Sequence, residues 1–568
     1  MLDCVYEIEA HAVVSSLLGG TRPAIITHDF SSAFPSIAHV FIFLVLTASG
    51  VPLSVIVAIR ALYTDCYCWV LFSGMLFDGL EAMSGIKQGC PMSGVIYSLS
   101  LDCFVRMLIF YVPSPLGRVA AFADDITISL RDLFEGLPLT MRCFDLLEKA
   151  ACLKLNLDKC VIVLLWLTDE GELRVWMVQH ASGSHLFKVA TRAKMLGIWI
   201  GPSADEVMWS APLSKLAERV AFIKSSRQGL MRNILHYNVF AFSCLQFVAQ
   251  CASPTKKALK AEKHARQMLT LAPWNALQHE LLSQLKVIGL PGECHDLEHV
   301  ALAAKFRAAT FSYVFSDCVE EIEAARESDD AVLMPRLDLW HRSCILATIQ
   351  SARQRVLSLP DLRVPFIAEG VQGFQHAVMI QVSQHVHRRP VSTLLETRAH
   401  KWGDGHAIQT SNLCEPLLGA SKKLPPHVTV GYLKTVCNAW NTSRRYRSDA
   451  KRCRFGCGMP AGDSLRHYLA CPATLHMVFH SFPSLMSTCE PQRPLVSLLG
   501  LATSMDHLAM SRHMLLIEAM RSVHETLRTT GQYCSGPAEL ADRVRTRLRA
   551  PATESRWARS RCVELLAR

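Results

Sequence analysis

Three apolar stretches that meet carboxylates constrain this chain more than anything else in it. Pro23 to Thr27 reads as a short strand leading into Asp29, and the apolar stretches Val119 to Ala123 and Ile126 to Leu130 flank Asp124-Asp125 as the arms of a hairpin flank its tip. Strand ends can bring carboxylates from separate segments together, where shared Mg²⁺ offsets their repulsion. Two such ions ~3.5 to 4 Å apart activate an attacking oxygen and stabilise a leaving one. The plainer reading is that Asp-Asp marks a turn and Asp29 caps a helix. On these three residues alone the plainer reading is the better one.

The rest of the chain mixes helices and strands. Tyr6 to Leu18 reads as a helix, and Ile37 to Tyr63 carries helical periodicity. Cys66 to Phe72 reads as a strand that turns at Ser73 and Gly74 into a second, Met75 to Ala82, which leads to Gly85. Helices follow from Pro91 to Tyr111 and from Pro138 to Cys152, with Pro138 tolerated in a first turn. Val161 to Trp166, Leu173 to Val178 and Leu196 to Ile200 read as strands, and past Pro212 the pattern is mostly helical. Leu290-Pro291-Gly292 is the best candidate for a domain boundary.

At roughly 150 residues per domain, 568 residues predict three or four domains, and 50% apolar with 19% charged residues exclude wholesale disorder. From Phe30 to Ile59 there is no formal charge, which is long enough to cross a bilayer. Gly50, Val51 and Pro52 cut that stretch in two, so it reads as a pair of buried helices and no membrane partner is expected. Twenty-one Cys without a cationic, apolar leader argue against a secreted disulfide framework and for a reducing compartment, nuclear or cytoplasmic.

The order of further segments decides the carboxylate question. Asp29-Phe30-Ser31-Ser32-Ala33-Phe34-Pro35-Ser36, then Ser84-Gly85-Ile86-Lys87-Gln88-Gly89-Cys90-Pro91, then Phe122-Ala123-Asp124-Asp125 resemble motifs A, B and C of reverse transcriptases, in the form found in non-LTR (LINE-type) retrotransposons. Leu153 to Lys159 is similar to motif D, and Met195-Leu196-Gly197-Ile198 to the primer-grip motif E.

The resemblance implies a polymerase palm over residues 1–205 with partial fingers and a helical thumb over 206–290. Asp29, Asp124 and Asp125 would hold two Mg²⁺, and Lys159 would serve as proton donor to departing pyrophosphate. Phe30, Phe34, Gln88 and Gly89 would meet the nucleotide, Phe34 lying under its sugar where a 2′-hydroxyl would collide. Leu196 and Gly197 would form the primer grip. The implied partners are an RNA template, a DNA primer or target, and deoxynucleoside triphosphates. Phe122, Pro35, Cys152 and Met195 stand where many relatives have Tyr, Asp, Gly and Tyr. Only 28 residues precede Asp29, with Arg22 their sole Lys or Arg. The resemblance is therefore to an N-terminally truncated polymerase, and the competing class is a non-catalytic relic that binds nucleic acid.

The formal charge of +10 is concentrated in two stretches, 444–454 and 542–568, each +5. Such local basicity suggests polyanion contact at specific places. The first stretch offers Arg444, Arg445, Arg447, Lys451, Arg452 and Arg454 to phosphates. It leads into Cys453-x3-Cys457-x9-His467-x3-Cys471, three thiolates and an imidazole suited to tetrahedral Zn²⁺. That set resembles the knuckle found C-terminal to the polymerase in many non-LTR elements; its first gap is one residue longer than the usual spacing, and His476 and His480 are alternatives to His467. Ser253-Pro254 reads as the start of a helix that places Lys256, Lys260 and Lys263 on one face, where a thumb would follow the phosphates of a duplex. The predicted architecture is α+β: a polymerase palm, a helical thumb, and a mainly helical C-terminal region (291–440), a basic segment with a small zinc knuckle (441–490) and a helical basic tail (491–568).

Overall fold

The computed structural model describes residues 1–549 apart from 20, 274–275, 333–334, 361–370, 386–388, 404–412, 450, 486–487, 490–491 and 502–504. Much of the second Arg-rich stretch, 550–568, lies outside the described residues. The chain forms two compact units, one of Met1–Ser210, Val248–Ser253 and Ala301–Val382, the other of Ala211–Phe247, Pro254–Val300 and Ser383–Arg568. Leu290-Pro291-Gly292, read from the sequence as a boundary, lies within the second unit. The expected domain 291–440 is divided, its residues from Ala301 to Val382 joining the first unit.

The first unit is α+β. Its elements run α1 (Leu2–Leu17), β1 (Ala24–His28), α2 (Ala33–Ser36), α3 (His39–Ala48), α4 (Leu53–Tyr63), β2 (Tyr67–Phe72), β3 (Met75–Glu81), α5 (Ser93–Tyr111), β4 (Gly117–Phe122), β5 (Asp125–Leu130), α6 (Leu133–Ala151), β6 (Val161–Leu164), α7 (Glu170–His180), β7 (Lys188–Ala190), β8 (Ala193–Met195) and β9 (Ile198–Ile200). Five strands pair in the order β4-β5-β1-β6-β7, antiparallel except for β6 with β7. β1 lies at the centre, with four of its five residues buried, as a strand covered on both faces must be. Ile26, Ile128 and Ile162 share one core with Leu137, Phe144 and Phe104 from α6 and α5.

The uncharged stretch resolves into α3 and α4, of 10 and 11 residues, each too short to span a bilayer. α5 is long and apolar enough by length and composition, and one of its faces (Ile96, Tyr97, Leu101, Phe104 and Leu108) is buried in this core.

Three local readings need correction. Leu173 to Val178 is not a strand but part of α7. Asp169 accepts from the Glu172 amide to start it, and Leu173 and Met177, four apart, are its buried residues. α6 begins at Leu133, where Asp132 accepts from the amides of Phe134 and Glu135, so Pro138 sits in the second turn rather than the first. The helix Lys256–Leu269 is capped by Thr255, whose hydroxyl accepts from Ala258, and Ser253 instead gives its carbonyl to the Trp209 indole.

Helices after residue 300 complete the first unit around α1. Tyr6 packs edge-on to Phe315 at 5.8 Å, and Ser16 is hydrogen-bonded to His341 at 2.8 Å. The buried Glu9 carboxylate accepts from the amides of Ile345 and Leu346 at 3.0 and 2.9 Å, capping the helix Ile345–Leu357 from a distant part of the chain.

The second unit is helical. In the helix Lys256–Leu269, buried Arg266 pairs with Glu262 at 2.7 Å and with Asp296 at 3.1 Å, so its charge is matched where water is excluded. The 24-residue helix His507–Thr530 runs through this unit against the helices Cys414–Ser421, Pro426–Val436 and Pro537–Arg549.

Candidate active site and candidate metal centre

The sheet itself places the carboxylates. His28, the last residue of β1, pairs with Ile126 of β5, so the antiparallel register sets Asp29 opposite Asp125. Asp125 in turn pairs with Phe122, which makes Ala123 and Asp124 the hairpin tip, Ala123 in the left-handed region (φ 54°). Asp29 and Asp125 wall one cleft of about 620 Å³, whereas Asp124 faces an adjoining pocket of about 420 Å³ with Phe34, Gln88 and Gly89. Burial, then Asp124 and Asp29, push the Asp125 carboxyl up, so both neighbouring carboxylates act on Asp125 through space. Asp29 Oδ2 is shielded from solvent without a hydrogen-bond partner. Its nearest cation is Lys159, whose Nζ is 3.6 Å away. The segment carrying Lys159 is tied to Asp29 by the Asn156 amide, which donates to the Asp29 carbonyl at 2.8 Å.

The adjoining pocket forms where the chain after β1 meets the chain before α5. The Gly85 amide donates to Ile37 and that of Ile86 to Phe34, both at 2.8 Å. A Cβ on Gly85 would lie 2.7 Å from the Pro35 carbonyl oxygen, so only glycine allows this approach. Gly89 needs its glycine for φ 84°, not for space, because nothing lies within 4 Å of where a Cβ would be. Phe34 is half-buried and stacks on Tyr97 at 4.3 Å. Tyr97 is a residue that the sequence reading missed. Burial and then Asp124 push its phenol upward, and its hydroxyl is enclosed without a partner. No motif marks it, since its role comes only from where α5 packs.

Phe30 needs correction. Its ring is buried against Phe144, 6.1 Å away, and anchors the strand end, so any contact with a nucleotide would fall to its backbone. Leu196 and Gly197 form the turn of the β8–β9 hairpin, both with positive φ (49° and 87°), as a two-residue turn of this twist requires. That hairpin and β7 bring Lys188, Arg192 and Lys194 to the cleft of Asp29 and Asp125, three cations that the motifs did not single out.

Residues 15–200 match the family model described as reverse transcriptase (RNA-dependent DNA polymerase). This segment is a reverse transcriptase domain. Over 251 residues the chain is 24% identical to the transposon TX1 uncharacterized 149 kDa protein of Xenopus laevis, covering 42% of this chain and 18% of that protein. Over 139 residues it is 30% identical to the Pol polyprotein of the type-2 retrotransposable element R2DM of Drosophila melanogaster, covering 24% and 13% of the two. Over 159 residues it is 26% identical to the Pol polyprotein of the type-1 element R2 of Popillia japonica, covering 27% and 26%. Two of these relatives are Pol polyproteins of retrotransposable elements, and the third is a transposon protein. The chain spans from about an eighth to about a quarter of the length of these relatives.

Beyond the reverse transcriptase domain, a second group of ligands assembles in the second unit. Cys453, Cys457, His467 and Cys471 place their donor atoms within 4.8 Å of one another. His476 and His480 stack on each other at 4.1 Å and do not join the group. His467 is carried on a short helix that Ser464 caps, and Cys471 is the N-cap of the next. The Cys453 and Cys471 sulfurs lie 3.7 Å apart, and their mutual contact lowers the Cys471 thiol while it raises that of Cys453, as suits thiols gathered to serve as metal ligands.

The basic run divides. Arg444, Arg445, Arg447, Lys451 and Arg452 reach the surface in full or in part, Arg452 lying over the Tyr533 ring at 4.1 Å. Arg454 is buried, donating to the carbonyls of Leu527 and Gln532 at 3.2 Å each, so its assignment as a phosphate contact is corrected to that of a brace. Lys256, Lys260 and Lys263 lie exposed on one face of their helix, opposite buried Ala258, Glu262, Ala265 and Leu269.

Proposed function

We propose that this chain is an RNA-directed DNA polymerase of a non-LTR retrotransposon, extending a DNA 3′ end on an RNA template. The observation that carries the reading is the placement of Asp29, Asp124 and Asp125 by one sheet register within electrostatic reach of one another. The enclosed Asp29 Oδ2, which has no hydrogen-bond donor and faces Lys159 at 3.6 Å, and the raised carboxyl of Asp125 fit residues that would hold a pair of Mg²⁺. When bound, those ions neutralise phosphate charge and ease deprotonation of a 3′-hydroxyl. Intact carboxylates favour the enzyme over a non-catalytic relic.

The chain's own residues would act as follows. The first unit serves as palm, and Gln88 and Gly89 line the nucleotide pocket with Phe34, whose ring, backed by Tyr97, bars a 2′-hydroxyl. Lys159 donates a proton to leaving pyrophosphate. Lys188 and Lys194 attract phosphates to the cleft, and the Leu196-Gly197 turn meets the primer. In the second unit, Lys256, Lys260 and Lys263 follow duplex phosphates as a thumb does, and Cys453, Cys457, His467 and Cys471 hold one Zn²⁺ as a knuckle. The free state of the cysteines among the described residues supports a reducing compartment, nuclear or cytoplasmic.

Primer extension by the full chain with Mg²⁺, an RNA template and a DNA primer tests the reading. Asp124→Asn should lower the rate on the order of 10³-fold, and extension at the wild-type rate would overturn it. Phe34→Ala should admit ribonucleotides more readily; unchanged sugar discrimination would leave Phe34 a packing residue only.

A further inference from the structure

Part of the basic run belongs to a concave site. Arg444, Arg445 and Arg447, from the helix Ser443–Tyr446 and its C-cap, meet Arg398 and Lys401, from the end of the helix Val391–Ala399 and the turn after it, and Arg466, which precedes the ligand His467. These six cations line one pocket of about 540 Å³ in the second unit, and none of its lining residues is acidic. Arg445 Nε is enclosed without a hydrogen-bond partner. Positive groups converging on one hollow attract an anion into it.

One wall of the pocket is braced beside the Cys₃His group. Asp463 accepts from the Ser443 amide at 2.8 Å, and its carbonyl accepts from the Arg444 amide at 3.4 Å, fixing the short helix that carries three of the cations. The same carboxylate accepts from the Tyr468 hydroxyl at 2.7 Å, and Tyr468 follows His467 directly in sequence. Burial alone would raise the Asp463 carboxyl, but donors from His524, Ser443 and Tyr468 hold it well below the usual range. The backbone that presents Arg444, Arg445 and Arg447 to the hollow is therefore held by buried hydrogen bonds.

We propose that this pocket binds the phosphate backbone of a single nucleic-acid strand, a proposal that rests on the nucleic-acid reading above. Its shape favours one strand: a rigid duplex is convex and touches only the rim of a hollow, whereas a flexible strand can turn a phosphate inward.

The test uses the full, zinc-loaded chain and a fluorescent 20-nucleotide single strand, alone or annealed to its complement, titrated at several salt concentrations. Lys401→Gln with Arg444→Gln, both exposed, should weaken single-strand binding about tenfold and reduce the slope of log affinity against log salt by about 0.7 per cation removed. Duplex binding should change less than twofold. Lys401→Arg with Arg444→Lys, which keeps both charges, should retain affinity and slope, and this separates loss of charge from loss of fold. Unchanged single-strand affinity in the neutralised variant overturns the proposal, as does an equal loss for duplex. A free nucleotide is the other source of phosphate. If the neutralised variant weakens calorimetric binding of a deoxynucleoside triphosphate but not of the strand, the pocket is a nucleotide site and the proposal falls. Asp124→Asn should keep the single-strand affinity, so failure here and failure of the polymerase reading are told apart.

Discussion

The carboxylates of the sheet and the ligands of the Cys₃His group are both clusters of like groups, but they are held by opposite means. Asp29, Asp124 and Asp125 stand at the ends of strands whose register is fixed by buried Ile26, Ile128 and Ile162, so the fold imposes the cluster and bears its repulsion. Cys453, Cys457, His467 and Cys471 stand on turns and two short helices, where left-handed Gly456 and Gly458 shape the first loop. That loop leans on the C-terminal helices. Phe455 and Tyr468 pack beside His524, and the Arg454 carbonyl accepts from the Cys534 amide at 2.8 Å. A site imposed by a core loses little when its ligand is removed; a site that organises its own surroundings loses much.

Zinc removal should sharpen that contrast most. Chelation, or Cys471→Ser, should lower the stability of the second unit by more than about 4 kcal/mol, read as a lost or early unfolding transition together with metal content. Removing Mg²⁺ should leave the unfolding midpoints within a degree or so. A zinc effect as small as the magnesium effect would break the comparison. The packing of Phe455 and Tyr468 against His524 also means that 441–490 and 491–568 do not separate into independent pieces, so these measurements belong on the whole chain.

Glu9→Gln should come next, at about 1 to 3 kcal/mol, because an amide offers one acceptor where the carboxylate offers one each to Ile345 and Leu346. Burial pushes the Glu9 carboxyl up to about 7 from an ordinary 4.5, against the lowering effect of those two amides. A carboxyl raised on folding contributes stability that is fully present below its ordinary value and is lost as pH rises through the folded value. The wild type should therefore weaken relative to Glu9→Gln between about pH 4.5 and pH 7, and parallel pH profiles would exclude this role.

Cys152→Gly should stabilise the first unit by about 0.5 to 1 kcal/mol, since Cys152 ends α6 at φ 61° in the left-handed region that glycine favours. Its departure from the residue common in relatives is thus strained in this structure, and an unchanged or lowered midpoint would show that the thiol compensates. Asp125→Asn should raise the unfolding midpoint least, by an amount equivalent to no more than about 0.5 kcal/mol, while abolishing primer extension. A destabilised Asp125→Asn would show that the carboxylates hold the sheet together rather than being held by it.

What was legible in the sequence follows the same division. Strands β1, β4 and β5 could be placed to within two residues, because short apolar stretches bounded by carboxylates carry their own signal. The Cys₃His set was legible because its donors lie within 19 residues of sequence. Val175 and Val178 made α7 look like a strand, and only its position off the sheet, with Leu173 and Met177 turned inward, reveals the helix. Tyr97 behind Phe34, buried Arg454, and the joining of Ala301–Val382 to α1 were illegible for one reason. Each depends on which distant surfaces meet, and no local pattern encodes that.

The cap that Glu9 provides also sets a schedule. The carboxylate leaves the ribosome 336 residues before the helix whose amides it accepts. At synthesis rates of roughly 5 to 20 residues per second, that interval is roughly 17 to 67 s, a long time for an apolar helix to lack its cover. During it, the buried side of α1, with Tyr6 and Ser16, would be open to water and to other chains. Production of this protein should therefore depend on chaperone capacity more than its final stability suggests.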